Sequence, residues 1–138
     1  MAAWAGRPWP LAALLVAVSS PAPALSYLDE DTGRLLVQAV EAAAEYDLYN
    51  ARCRSDLSGR RTDNLNKKLA SKFRMTLIKV QDDLFPERSY RRAQERLQSD
   101  FLAKLKNAGG CRGAKEQGMP DELRRRYDDL MREIEQLP

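Results

Sequence analysis

The stretch TDNLNKKLASKFRMTLIKVQDDL, residues 62–84, decides how many helices the chain has. Leu65, Leu69, Phe73, Thr76, Leu77, Val80 and Leu84 recur in it at three- and four-residue steps, the spacing of one face of an α-helix. No glycine or proline interrupts the run, so the pattern predicts one continuous helix from about Thr62 to Leu84. Phe85-Pro86-Glu87 ends it, because the residue before a proline avoids the helical region. Arg60, Arg61, Lys67, Lys68, Lys72, Arg74 and Lys79 spread over the opposite half of the wheel. Met75 and Ile78 fall among those bases, outside the apolar stripe. A basic face with apolar residues inset in it suits an acidic protein or another anionic surface, and methionine and arginine are enriched where proteins meet. Lys67, Lys68, Lys72, Arg74, Met75, Ile78 and Lys79 are therefore the candidate binding residues. The competing reading buries this helix more broadly near its middle, against a loop or the chain terminus.

Three further segments carry the same period. The first runs from about Asp31 to Asp56, with Leu35, Ala39, Ala42, Tyr46, Tyr49 and Cys53 in one row and Leu36, Val40 and Ala43 widening it. Asp29, Asp31 and Thr32 suit its start, where side-chain oxygens cap free N–H groups and negative charge meets the positive end of the helix dipole. Ser58-Gly59 breaks it from the second helix. The third runs from Pro86 or Glu87 to Ala108 along Tyr90, Ala93, Leu97, Phe101, Leu105 and Ala108. Gly109-Gly110 stops it, since glycine readily takes the left-handed conformation that closes helix ends. The fourth runs from about Pro120 to Gln136 along Leu123, Tyr127, Leu130, Ile134 and Leu137, with Pro120 suited to its first turn. Strand alternation, internal repeats and low-complexity tracts are absent from the sequence. Four amphipathic stripes joined by short connections predict an all-α domain, a compact antiparallel four-helix bundle.

That topology gives the two cysteines a role. In an up-and-down bundle the ends of the first and third helices lie at the same end of the molecule. Cys53 sits near one and Cys111 just past the other, so a disulfide is predicted between them. By the loop-entropy argument, closing a loop of that length stabilises the fold by about 4 kcal/mol, less any strain. A nucleophilic cysteine wants a base, usually histidine, and the chain has no histidine. A zinc site wants four ligands, and a redox pair wants CxxC spacing; neither is present. Basic neighbours such as Arg52, Arg54, Arg112 and Lys115 could still favour a reactive thiol.

Residues 1–24 read as a leader. Arg7 is their one charged side chain, LAALLVAV at 11–18 is an apolar run, and SSPAPA at 19–24 ends in Ala22-Pro23-Ala24. This is the layout of a signal peptide cleaved after Ala24, leaving residues 25–138 as one helical domain. The apolar run falls far short of the ~20 residues that cross a bilayer as a helix, so no transmembrane segment is expected after cleavage. The compartment is then periplasmic or extracellular, where paired cysteines persist.

The function classes narrow by exclusion. The whole chain carries 23 bases against 20 acids, a net charge of +3, and no aromatic platform accompanies its bases, so nucleic acid is not an expected partner. Without histidine, most hydrolase triads and the commonest metal sites are out of reach. Asp82-Asp83 and Asp128-Asp129 are adjacent on helices and point about 100° apart, so neither pair converges on one atom. Phosphate-binding glycine loops are missing. No enzyme activity, cofactor or metal is expected. Two other readings stay open: a periplasmic hydrolase working through carboxylates alone, and an anion or lipid carrier with an apolar cavity.

The alanine-rich leader ending in APA, the single distant cysteine pair and the histidine-free helical remainder resemble uncharacterised small secreted or periplasmic helical proteins of Gram-negative bacteria. The likeness is one of organisation; it implies compartment and fold, and no activity. The expectation is an exported, non-enzymatic helical binding protein whose partner is another protein, met through the basic face of the second helix.

Overall fold

The structure, a computed structural model, describes residues 28–138 and the single positions 6 and 17. The predicted signal peptide and its cleavage point lie outside the described residues, those two positions aside. The described residues form six helices and no strand: α1 (Glu30–Cys53), α2 (Arg60–Phe73), α3 (Leu77–Asp83), α4 (Tyr90–Asn107), α5 (Gly110–Glu116) and α6 (Met119–Gln136). The all-α expectation holds, but the count of four does not. The continuous stripe over residues 62–84 is two helices, and a short helix lies in the glycine-rich loop.

The break between α2 and α3 has a local cause. Arg74 takes the left-handed conformation, with φ of 54°. Its N–H closes on the Ala70 carbonyl at 3.1 Å, and the Met75 N–H on that of Leu69 at 3.3 Å. A side chain in that conformation costs roughly 1–2 kcal/mol, and contacts made by the next few residues offset it. Thr76 caps α3, its hydroxyl accepting the Lys79 N–H at 3.1 Å, while Asn66 of α2 accepts the Leu77 N–H at 2.8 Å. Met75 enters the core, 4% exposed, a burial worth about 2 kcal/mol.

The other boundaries follow similar chemistry. Phe85 is fully buried, and Pro86 to Arg88 make a turn in which Arg88 has φ of 50°. α4 therefore begins at Tyr90, later than predicted, capped by Ser89, which accepts the Arg92 N–H at 3.3 Å. Asp82 adds a cap from α3, accepting the Tyr90 N–H at 2.6 Å. Gly109 and Gly110 both have positive φ, at 91° and 74°, and end α4 as expected. The chain then turns directly into α5, which a pattern of apolar residues could not reveal because Ala114 is its one buried side chain.

α1 is the central helix and packs against α2, α3, α4 and α6. Ala39, Val40, Ala42, Ala43 and Ala44 are all buried; burial over so much of the circumference marks a helix enclosed by others. Ion pairs fix the directions. Glu41 meets Arg96 at 3.6 Å and Glu45 meets Lys104 at 3.3 Å, so numbers rise together and α4 runs in the same sense as α1. The Cys53–Cys111 disulfide closes this pair of helices at the far end, with Cα atoms 5.4 Å apart across a sequence separation of 58. On another side, Tyr46 of α1 meets Tyr127 of α6 edge to face, with centroids 6.0 Å apart. Arg126 of α6 reaches both Glu41 and Glu45, at 3.7 and 3.5 Å.

Candidate functional site

The seven candidate binding residues do not form one free surface. Met75 is a core residue and is withdrawn from the candidates, because the turn at Arg74 carries it inward. Arg74 is exposed and serves the backbone turn. Lys67 pairs with Asp63 at 3.1 Å and Lys79 with Asp83 at 2.6 Å. Lys68 pairs with the Glu135 carboxylate of α6, and Lys72 donates to the Glu135 backbone carbonyl at 2.9 Å. Glu135 is held below the ordinary carboxylate range, chiefly by its hydrogen bond from Lys68. Surface pairs of this kind are worth only about 0–1 kcal/mol each, yet they spend much of the basic field inside the molecule.

Ile78 leads to a different place. It is 50% exposed at the start of α3 and lines a groove of 820 Å³ between α1, α2, α3 and α4. Among the described residues the large exposed apolar side chains are Leu57, Ile78, Tyr90 and Leu102, and the first three all line this groove. Isolated exposed apolar residues need no explanation, whereas a contiguous set around a concavity marks a contact site. Ala44, Leu48 and Ala51 of α1 and Leu77 of α3 contribute its apolar surface.

Leu57 is the most informative of these, being 84% exposed on a loop that is tied down. The Arg54 and Asp56 N–H groups both donate to the Asn50 carbonyl at 3.0 Å. Asp56 in turn accepts the Ser58 N–H at 3.0 Å and pairs with Arg61 at 3.2 Å. Ser55 and Gly59 hold positive φ, at 54° and 61°. A leucine held out on an ordered loop has already lost much of the entropy that binding removes.

Three helix starts border the groove, and each has two N–H groups met by side chains of the fold. Asp47 of α1 accepts the Arg61 and Thr62 N–H groups of α2 at 3.2 and 2.8 Å. Asn66 and Thr76 serve α3, and Asp82 and Ser89 serve α4. The positive helix ends are thus partly met from within the fold. The ionisable groups lining the groove are Asp47, Asp56, Asp63 and Glu95 against Arg91 and the Tyr90 phenol, so carboxylates outnumber bases there.

These carboxylates bear on chemistry as well as charge. Hydrogen bonds from Ser58, then Arg61, hold Asp56 below the ordinary carboxylate range; a general acid needs the opposite shift. Asp47 is committed to backbone N–H groups. Among the described residues no group of three acidic or cysteine side chains could hold a metal ion, and no helix is long and apolar enough to cross a membrane.

The sequence pattern does not mark Leu57 and Tyr90 as site residues. Tyr90 fits the inner row of the third helix, but as the first residue of α4 it is left partly exposed and lines the groove. Leu57 carried a signal: an apolar residue between Asp56 and Ser58-Gly59, where a loop has no core to face. No protein-family model matches the chain, and neither curated proteins nor solved structures contain a match.

Proposed function

We propose that the chain is an exported, non-enzymatic binding protein that engages another protein through the groove between α1, α2, α3 and α4. One observation carries this reading: Leu57, Ile78 and Tyr90, from three separate segments, stand exposed around one concavity. The leader-like residues 1–24 and the disulfide support a periplasmic or extracellular setting, since such bonds persist where the environment is oxidising. The contact moves from the basic face expected on a continuous helix over 62–84 to the groove, and Ile78 is the one earlier candidate that lines it.

The test is site-specific photo-crosslinking in the organism that makes the protein. A crosslinking amino acid replaces Leu57, Ile78 or, as control, Leu102, the exposed apolar residue outside the groove. Discrete adducts to another protein from positions 57 and 78, absent from 102, are expected. Equal adducts from all three positions, or none from the groove, defeat the reading. N-terminal sequencing of the exported form is expected to begin at Leu25.

A further inference from the structure

We propose that the occupant of this groove is an amphipathic helix of another protein, with apolar residues on one face and lysines or arginines flanking them. The inference rests on the reading of the groove as the binding site and adds the chemistry of what it takes.

The argument for a helix comes from the backbone. A polypeptide entering an apolar groove must keep its own N–H and C=O groups satisfied. The described residues contain no strand, so no sheet edge is offered for an extended segment to join. Of the N–H groups at the three helix starts around the groove, those of Arg61, Thr62, Leu77, Lys79, Tyr90 and Arg92 already have side-chain acceptors within the fold. A segment that bonds its own backbone meets this demand, and laying the apolar face of a helix into a groove is an established mode of recognition.

The argument for basic flanks comes from charge. The chain carries +3 overall, yet four acids and one base line the groove. Asp63 of α2 and Glu95 of α4 stand on different walls, with side chains 60% and 69% exposed. Their partners Lys67 and Arg91 are more exposed still, and the Arg91–Glu95 approach is a loose 3.7 Å. Such pairs exchange readily, so both carboxylates are open to bases on an incoming helix.

Fluorescence anisotropy with three synthetic helices tests this on the disulfide-bonded protein. The first has leucines at i, i+3, i+4 and i+7 with flanking lysines. The second replaces the lysines with glutamates, and the third replaces the leucines with serines. The first is expected to bind at least about tenfold more tightly than either other, a difference of about 1.4 kcal/mol, and to weaken as salt rises. Asp63→Asn combined with Glu95→Gln is expected to weaken the lysine peptide several-fold while leaving the urea midpoint unchanged. Leu57→Ser is expected to weaken it as well. Equal or tighter binding of the glutamate peptide overturns the proposal, as does binding that ignores Leu57→Ser. Failure of every peptide, with crosslinks still formed from positions 57 and 78, overturns the basic helix and leaves the groove reading standing. Self-association in sedimentation that Leu57→Ser abolishes overturns it in favour of a second copy of the chain.

Discussion

Met75 separates two incompatible pictures of residues 62–84, and replacing it gives results of different size in each. On a continuous helix Met75 projects among bases, and Met75→Ala would change stability by no more than about 0.5 kcal/mol, as for most surface changes. In the structure its side chain is 4% exposed. Truncating a buried methionine costs about 2–5 kcal/mol, depending on how far the site collapses. Met75 lies at a turn between helices, where some collapse is available, so a cost of about 2–3 kcal/mol is expected. At roughly 4 °C per kcal/mol for a domain of this size, the melting temperature falls by about 8–12 °C. Ile78→Ser is the internal control: at 50% exposure it should cost about 1 kcal/mol or less. Arg74→Gly adds a test of sign. Glycine relieves the left-handed conformation and should stabilise by up to about 1 kcal/mol, whereas in a helix interior it would cost about 1 kcal/mol. Urea unfolding followed by circular dichroism reads all three, with an unchanged denaturant slope confirming that the unfolding transition is the same. A Met75→Ala cost no larger than that of Ile78→Ser, together with a destabilising Arg74→Gly, would refute the break and everything built on it.

Other outcomes depend on the same packing. Reducing the Cys53–Cys111 bond, or replacing both cysteines with serine, should lower stability by up to about 4 kcal/mol, read as a shift of the urea midpoint with and without reductant; an unmoved midpoint would show that the bond constrains nothing. Gly113→Ala should destabilise by about 1–3 kcal/mol, because a Cβ there would lie 1.9 Å from the Ala108 carbonyl oxygen. Gly33→Ala, in open space within α1, should stabilise by about 0.5–1 kcal/mol, and thermal melts of the two variants should move in opposite directions. Glu87, chiefly through its hydrogen bond from Arg96, and likewise Asp56 and Glu135 sit below the ordinary carboxylate range. Their contribution is complete above the unfolded value of about 4 and is lost as pH falls through the lower folded values. The urea midpoint should therefore fall as pH drops below about 4, less steeply in Glu87→Gln, and a midpoint that rises with acid would contradict this.

What the sequence revealed and what it hid divide along one physical line. Periodicity located the faces of α4 and α6, each a long helix with one apolar row, and the broader buried face of α1. The cysteine pairing followed from the relative direction of two helices, which the stripes and loop lengths already implied. The α2–α3 break was invisible to the same reasoning because its parts mimic continuity. Leu77 and Val80 fall in register with Leu65 and Leu69 by spacing, and the residue in the left-handed conformation is Arg74 rather than glycine. Thr76, a good capping residue, was the one local sign, and it read equally well as a member of the inner row. α5 was hidden for the opposite reason: glycines surround it, and Gly113 is required by the approach of the Ala108 carbonyl, a contact that spacing along the chain cannot show.

The hidden break and the hidden site are one event. Where the chain leaves α2 at Arg74, it sends Met75 into the core and sets Thr76, Leu77 and Ile78 along the groove. A straight helix would have kept Ile78 on the basic outer face, one turn on from Arg74. Asn66 couples the two outcomes, because it lines the groove and also caps α3 at Leu77. The groove's shape therefore depends on a core turn, and its apolar rim was unreadable until that turn was known. It also follows that Asn66→Ala should disturb both stability and binding, whereas Leu57→Ser, on its own tethered loop, should disturb binding alone.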